Sequence, residues 1–201
     1  MKLYYSPAAC SLSPHITLRE LQLPFELVKV NLVTKHEENG ADYWMHNPKG
    51  YVPALLLDNG ELLTEGPVIV QYLADLVPEK KLAPANGTME RYRLQEMLNF
   101  ITSELHKGMG AMFKPQLPAE WRAVVVETLG KRMDFLSKQL EGKSWLMGET
   151  FTVADAYLFT VLRWSDFLKF DMSAWPELKK YMARVAARPA VQATLEAEGL
   201  R

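Results

Sequence analysis

Over the first third of the chain, short apolar runs are separated by proline, glycine and asparagine, a pattern typical of strands and short helices. Residues 3–5 predict a strand. Ser11 and Ser13 are suitable caps for a helix that ends before Pro24, and residues 25–30 predict a second strand. A connection of this length between two strands indicates parallel pairing with a right-handed crossover.

A hairpin and a helix complete this region. Residues 52–57 and 61–63 are apolar runs separated by an Asp-Asn-Gly sequence, and Asn-Gly between two such runs is a strong hairpin signal. Glu65-Gly66-Pro67 then opens a helix. The predicted order is β-α-β, an irregular connector, β-β, α.

The rest of the chain has helical spacing and contains no convincing strand. Residues 77–87 are rich in proline and lysine and have the composition of a linker. The predicted helices after it span residues 89–114, 119–140, 152–170 and 175–188, with a short helix closing the chain. We therefore predict an α/β domain over residues 1–80, a linker over 81–87 and an all-helical domain over 88–201.

Composition and charge narrow the class of protein. The chain has 201 residues, of which 48% are hydrophobic and 23% are charged, so it can bury a core without disulfides or metals. The net charge is -1 and no basic block stands out, which argues against nucleic-acid or anionic-membrane partners. No apolar run approaches the roughly 18 residues of a membrane span, and the N-terminus does not resemble a signal peptide. With one cysteine, a reducing compartment is favoured and the expected location is the cytoplasm.

That cysteine, Cys10, lies where the first helix begins. The partial positive charge of a helix N-terminus stabilises a thiolate, so Cys10 is a candidate reactive group. The run 10–13 has the spacing of a redox pair with Ser13 in place of the second cysteine. Tyr5 and Ser11 flank the same point and could donate a hydrogen bond to a bound thiolate. The alternative is that Cys10 is a small buried hydrophobe and Tyr5 belongs to the core.

Two further positions suggest a peptide or amino-acid ligand. A cis bond between Val52 and Pro53 would present main-chain groups to an extended peptide, although only about 5–6% of such bonds are cis and the residues alone favour trans. The helix start at Glu65-Gly66 could bind a carboxylate through its N–H groups and an ammonium group through the Glu65 side chain. Ordinary helix capping is the favoured alternative there.

The long helix after the linker carries a polar stripe beside its apolar face. Asn99, Ser103 and His106 recur at helical spacing, and a solvated surface is the simplest interpretation. No other histidine or acid lies at metal-ligand spacing from His106, so no metal site is predicted. Further along, Thr152 and Asp155 have the form of a capping box, which we interpret as structural.

Five segments, in order and correctly spaced, resemble the cytosolic glutathione transferases, most closely those of the bacterial beta class. They are residues 4–12, 47–55, 63–66, 104–107 and 151–157. The resemblance implies a thioredoxin-like N-terminal domain followed by an all-helical C-terminal domain, a homodimer and a role in detoxification. It also implies that the Val52-Pro53 bond is cis, whereas the residues alone favour trans.

The resemblance further implies which residues contact glutathione. They are Cys10, Lys35, Val52, Pro53, Glu65, Gly66, Asn99, Ser103, Glu104, Leu105 and His106. As a flexible cation in a loop, Lys35 would hold the glycine carboxylate. Many relatives have serine where this chain has Gly66, so one hydroxyl contact is missing here.

The implied activity is conjugation of the glutathione thiol to small hydrophobic electrophiles, with glutathione as co-substrate and no cofactor. Cys10 and His106 are the first catalytic candidates, followed by Tyr5 and Ser11. Thiol–disulfide exchange through Cys10 is a second activity that the resemblance allows. A non-catalytic glutathione- or ligand-binding regulatory protein on the same fold is the remaining alternative. The electrophile pocket would be lined by Met109, Met112, Phe113 and Trp164.

Overall fold

The computed structural model describes residues 1–200, which form two compact units. The first unit consists of residues 1–80 together with the C-terminal segment from Arg188 onward, and the second consists of residues 81–187. The predicted fold class, a thioredoxin-like domain followed by a helical domain, is confirmed.

The first unit is built on a five-stranded mixed sheet in the order β3-β2-β1-β4-β5. Its strands are β1 (Lys2–Tyr5), β2 (Glu26–Asn31), β3 (His36–Glu37), β4 (Ala54–Leu56) and β5 (Leu62–Thr64). Strand β1 pairs in parallel with β2 and antiparallel with β4, so that Leu3 lies opposite both Leu27 and Leu55. Leu3 and Leu55 are fully buried, which places β1 and β4 at the centre of this unit's core.

Two helices of this unit follow strands. Helix α1 (Leu12–Leu21) connects β1 to β2, and α2 (Gly66–Leu76) follows β5 and packs against α1. The predicted β-α-β and β-β-α segments are therefore present. The connector between them also contains β3 and a short 3₁₀ turn at Tyr43–Met45, which the sequence pattern did not predict because both are too short to show a period.

The C-terminal segment packs with the first unit. Helix α9 (Pro189–Ala197) lies against α1, and Arg188 forms a two-pronged ion pair with Glu20 at 2.6 and 2.9 Å. The division predicted from sequence instead kept this segment in the helical domain. Helical spacing identifies a helix and its apolar face, but it does not tell which part of the chain covers that face.

The second unit is helical. Its helices are α3 (Met89–Phe100), α4 (Lys107–Met112), α5 (Ala119–Gln139), α6 (Val153–Leu162), α7 (Trp164–Leu168) and α8 (Pro176–Ala186). A π-helical turn, Ile101–His106, joins α3 to α4 and completes the predicted long helix. The single helix predicted over 152–170 is instead two helices, α6 and α7. Every residue of α6 is buried, as expected of a helix at the centre of a bundle.

The capping box at the start of α6 is confirmed and is part of a larger network. Asp155 is fully buried, and its Oδ2 accepts a hydrogen bond from the backbone N–H of Thr152 at 2.8 Å. Its Oδ1 accepts from the N–H of Leu146 at 2.8 Å and from the hydroxyl of Tyr181 at 2.9 Å. Burial raises the pKa of Asp155, and these donors oppose that shift. Asp155 thus ties the start of α6 to the loop before it and to α8.

Across residues 1–200, we find no helix whose length and apolar character would let it cross a membrane.

Candidate active site

Cys10 lies in the turn between β1 and α1, as predicted. Helix α1 begins at Leu12 with Ser11 as its N-cap residue, so the thiol is close to the positive end of the helix. The side chain is partly exposed, and Sγ donates a hydrogen bond to the carbonyl oxygen of Val52 at 3.1 Å. The structure therefore brings Cys10 together with the Val52-Pro53 segment.

The two residues expected to assist Cys10 are more buried than it is. Ser11 is fully buried, and its hydroxyl donates to the carbonyl of Ser6 at 3.2 Å while accepting from the N–H of Ser6. This closes the turn, so donation to a bound thiolate would require that bond to break. Tyr5 is 8% exposed, and burial raises the pKa of its hydroxyl, which therefore keeps its proton at neutral pH.

The segment before β4 holds the expected cis bond between Val52 and Pro53. The carbonyl of the preceding Tyr51 accepts hydrogen bonds from the hydroxyl of Tyr43 and the amide of Asn47, both at 2.8 Å. This loop needs a glycine at position 50. Gly50 has a φ of +63°, and a Cβ there would lie 2.5 Å from the ring of Trp44.

Lys35 lies beside this loop, although only the family resemblance singled it out. Its Nζ donates to the carbonyl of Gly50 at 2.8 Å and lies 5.8 and 5.7 Å from the ring centroids of Trp44 and Tyr51. The aromatic rings hold the cation at the loop that also carries Val52.

Glu65 precedes α2 with a φ of +69°, a backbone conformation that is uncommon for residues other than glycine. Its exposed carboxylate forms an ion pair with Lys49 at 2.7 Å, and Lys49 also donates to the hydroxyl of Thr64 at 3.0 Å. The sequence interpretation treated Lys49 only as part of a turn and missed its contact with Glu65. Gly66 follows as the first residue of α2, where a Cβ would meet Pro53 Cγ at 3.6 Å, an ordinary contact distance.

In the second unit, His106 ends the π-helical turn and is held by two aromatic residues. Its Nδ1 is 2.7 Å from the hydroxyl of Tyr157, and its ring lies edge-on to Trp164 with centroids 4.8 Å apart. Tyr157 also lies 3.3 Å from the hydroxyl of Thr102. Tyr157 was part of a recognised motif, but nothing in the sequence spacing indicated that it contacts His106.

The predicted polar stripe does not behave as one surface. Asn99 and Ser103 are exposed, and the Ser103 hydroxyl donates to the Asn99 carbonyl at 3.1 Å, whereas His106 is partly buried. Of the neighbouring candidates, Glu104 is paired with Arg132 at 2.7 Å and Leu105 is fully buried.

The side chains expected to line the electrophile pocket form part of the second unit's apolar interior. Met109, Met112 and Trp164 are buried, while Phe113 is 48% exposed and lies edge-on to Trp164 at 5.8 Å. Within residues 1–200, no group of three or more His, Cys, Asp or Glu side chains is arranged to hold a metal ion.

Comparison with known proteins decides which family these features belong to. The family model for the glutathione S-transferase N-terminal domain matches residues 8–76, and the model for the glutathione S-transferase C-terminal domain matches residues 100–189. The chain is 49% identical over 201 residues to glutathione S-transferase GstA of Escherichia coli O157:H7, with 100% of both chains covered. The chain belongs to the glutathione S-transferase family.

Solved structures of glutathione S-transferases agree with this assignment. The fold matches BphK, a bacterial glutathione S-transferase solved as a ternary complex, with a TM-score of 0.98, 56% identity and 100% of both chains covered. It matches a bacterial beta class glutathione S-transferase of Sphingomonas chungbukensis with a TM-score of 0.96, 47% identity and 100% of both chains covered. The beta-class resemblance seen in the sequence is confirmed, and the protein is a transferase.

Proposed function

We propose that this transferase conjugates the thiol of glutathione to small hydrophobic electrophiles and also exchanges disulfides through Cys10. The observation that carries the proposal is the contact between Cys10 Sγ and the Val52 carbonyl at 3.1 Å. It places the chain's single thiol beside main-chain groups that can bind an extended peptide such as glutathione.

Binding would use both ends of the tripeptide. The ammonium group of the γ-glutamyl residue suits the exposed carboxylate of Glu65, and its carboxylate suits the N-terminus of α2 at Gly66. The glycine carboxylate suits Lys35 beside Gly50. Because Lys49 forms an ion pair with Glu65 in the structure, the incoming ammonium group would replace Lys49 as the partner of that carboxylate.

Conjugation needs a glutathione thiolate, since the neutral thiol is a weak nucleophile. By the family resemblance, the proposal assigns His106 a hydrogen bond to this sulfur. In the tautomer whose Nδ1 accepts from the Tyr157 hydroxyl, 2.7 Å away, the proton for that bond lies on Nε2. Cys10 can donate a second hydrogen bond through its thiol. In reaction with an aryl halide, the new carbon–sulfur bond forms as the carbon–halogen bond breaks and halide leaves.

Exchange would use Cys10 as the nucleophile. Its thiolate attacks the glutathione sulfur of a disulfide between glutathione and another thiol, so that Cys10 forms a mixed disulfide with glutathione and the other thiolate leaves. Attack by a second glutathione thiolate then frees the Cys10 thiolate and releases glutathione disulfide. Since the chain has no second cysteine, a second glutathione must release the mixed disulfide. We expect the protein to act as a homodimer in the cytoplasm, with glutathione as co-substrate and without a metal or further cofactor. The non-catalytic alternative is less favoured, since the proposed glutathione contacts Cys10, Lys35 and Glu65 are all present.

Cys10→Ala separates the two activities. We expect the variant to form no mixed disulfide, as seen by intact-protein mass spectrometry after exposure to glutathione disulfide. Its conjugation of an aryl halide should fall only in part, because glutathione supplies its own nucleophile and His106 remains. Complete loss of conjugation with unchanged glutathione binding would contradict this division of roles.

A further inference from the structure

The C-terminal segment carries a buried carboxylate that contacts the turn before Cys10. The side chain of Glu198, just after α9, is fully buried together with that of His15. Its Oε1 lies 2.8 Å from His15 Nδ1, and its Oε2 accepts a hydrogen bond from the backbone N–H of Ala8 at 3.1 Å. One side chain therefore joins the end of the chain both to α1 and to the turn.

The directions of these hydrogen bonds follow from the donors present. Arg19 Nε donates to His15 Nε2 at 3.0 Å, and a guanidinium group can only donate. His15 Nε2 is therefore the acceptor, and the ring proton lies on Nδ1, which donates to Glu198. The backbone N–H of Ala8 donates to the other oxygen of Glu198. The side chain at position 198 must therefore accept a hydrogen bond at each of its two terminal atoms. A carboxylate does this, whereas an amide offers only one accepting oxygen.

Ala8 is the residue in this turn that needs support. Its φ is +62°, in the left-handed region that residues with a Cβ rarely adopt. The turn continues through a hydrogen bond from Ala9 N–H to the Ser6 carbonyl at 3.1 Å. Cys10 follows two residues after Ala8, so the conformation of Ala8 determines where the thiol lies relative to α1 and Val52.

We propose that Glu198 is a positioning residue, which sets the reactivity of Cys10 by holding Ala8 in its left-handed conformation. The inference rests on the role proposed for Cys10. It is tested by a reaction of the thiol that needs neither glutathione nor an electrophilic substrate of the enzyme.

The same segment offers a matched control. Arg188 anchors it to Glu20 through two hydrogen bonds, as Glu198 anchors it to His15 and Ala8, and these two bonds of Arg188 are made to α1 and not to the turn. Arg188→Gln should loosen the attachment of α9 by a comparable amount while leaving Ala8 supported.

The test is the alkylation of Cys10 by iodoacetamide, in which the thiolate forms a carbon–sulfur bond and iodide leaves. Rates are measured across about pH 5 to 9, a range that includes the pKa of an unconstrained cysteine, roughly 8.5. For Glu198→Gln we expect the midpoint of the pH profile to move toward that value. The rate at neutral pH should change at least about threefold, the scale of one lost hydrogen bond. Arg188→Gln should keep the profile of the unaltered protein.

Thermal unfolding establishes that each variant is folded. If Glu198→Gln does not fold, Glu198→Asp takes its place, because the shorter carboxylate keeps its charge but cannot span both His15 and Ala8. An unchanged profile in the folded Glu198 variant, or an equal shift in Arg188→Gln, would overturn the proposal. Failure of the proposed transferase activity would show separately, as absence of conjugation by the unaltered protein.

Discussion

At the scale of single residues, Gly66 is the position at which the family resemblance implies one hydroxyl contact with glutathione fewer than in many relatives. It lies in the first turn of α2, and a Cβ there would meet the Pro53 ring at 3.6 Å from Cγ and 4.0 Å from Cδ, which are ordinary contact distances. We therefore predict that Gly66→Ser is accommodated and strengthens glutathione binding by roughly threefold to tenfold, as one added hydrogen bond to a charged group would. Calorimetric titration with glutathione measures the change.

Gly66→Ala is the control, since it adds the same Cβ without the hydroxyl. It should leave the affinity near that of the unaltered protein. Equal strengthening by alanine and serine would show that backbone stiffening, and not the hydroxyl, is responsible.

The sequence could propose those candidate site residues whose suggested role depends on their own position in the chain. Cys10 and Gly66 lie at helix starts, and a helix start is visible in the order of residues. Lys49, Tyr157 and Glu198 were missed as partners. Each acts by contacting a residue far away in sequence, and neither spacing nor composition records such contacts.

At the scale of elements, Asp155 does more than cap α6. A capping interaction alone predicts a loss of about 0.5–2 kcal/mol for Asp155→Ala. In the structure that substitution also leaves the buried donors of Leu146 and Tyr181 without their acceptor. We therefore expect a loss of about 3–5 kcal/mol in the free energy of unfolding, measured by urea denaturation.

Asp155 has no proposed contact with the ligand, so Asp155→Ala protein that folds should keep near-normal activity per molecule. A variant with normal stability and no activity would contradict the structural assignment.

The loop that carries Val52 depends on a buried tyrosine, which gives it a pH dependence. Burial raises the pKa of Tyr43 from 10.0 to about 12, and its hydroxyl donates to the Tyr51 carbonyl. Because the folded state favours the protonated form, this contribution to stability is fully present below about pH 10 and is lost as pH rises through 12. The difference in unfolding free energy between the unaltered protein and Tyr43→Phe should therefore shrink between pH 10 and 12. Urea denaturation at several pH values measures this difference, and a constant difference would contradict the prediction.

Most elements could be predicted because apolar spacing changes between strands and helices along the chain. The π-helical turn at Ile101–His106 could not, since its residues are ordinary helix formers. A π-helical turn contains more residues than an α-helical turn, so residues at α-helical spacing no longer share one face. This explains why the polar stripe predicted from a regular helix does not form one surface. Asn99 and Ser103 remain exposed, whereas His106 contacts Tyr157.

At the scale of the whole molecule, we predict that two subunits share each glutathione site. The observation behind this is that Asn99 and Ser103 are exposed polar residues. The γ-glutamyl ammonium group needs more acceptors than Glu65 supplies. By the family resemblance the long helix lies at a dimer interface, where these residues would reach the partner's ligand. Glu104 would do the same only if it left Arg132.

A mixed dimer tests this sharing. One subunit carries Glu65→Ala and the other carries Asn99→Ala with Ser103→Ala. If sites are shared, both lesions fall in one site and the other keeps normal affinity, because a two-fold dimer repeats each contact. Calorimetry that finds no normal-affinity site in the mixed dimer would count against sharing.

The docking of α9 on α1 also has a consequence for synthesis. A ribosome delivers about 5–20 residues per second from the N-terminus, so all of residues 81–187 emerge before the segment that completes the first unit. Until then His15 and the N–H of Ala8 lack the carboxylate of Glu198. The sheet can form early on the nascent chain, but the turn around Cys10 gains its contact with Glu198 only after residues 188–200 have emerged. The turn that carries Cys10 should thus complete its hydrogen bonds after the sheet has formed.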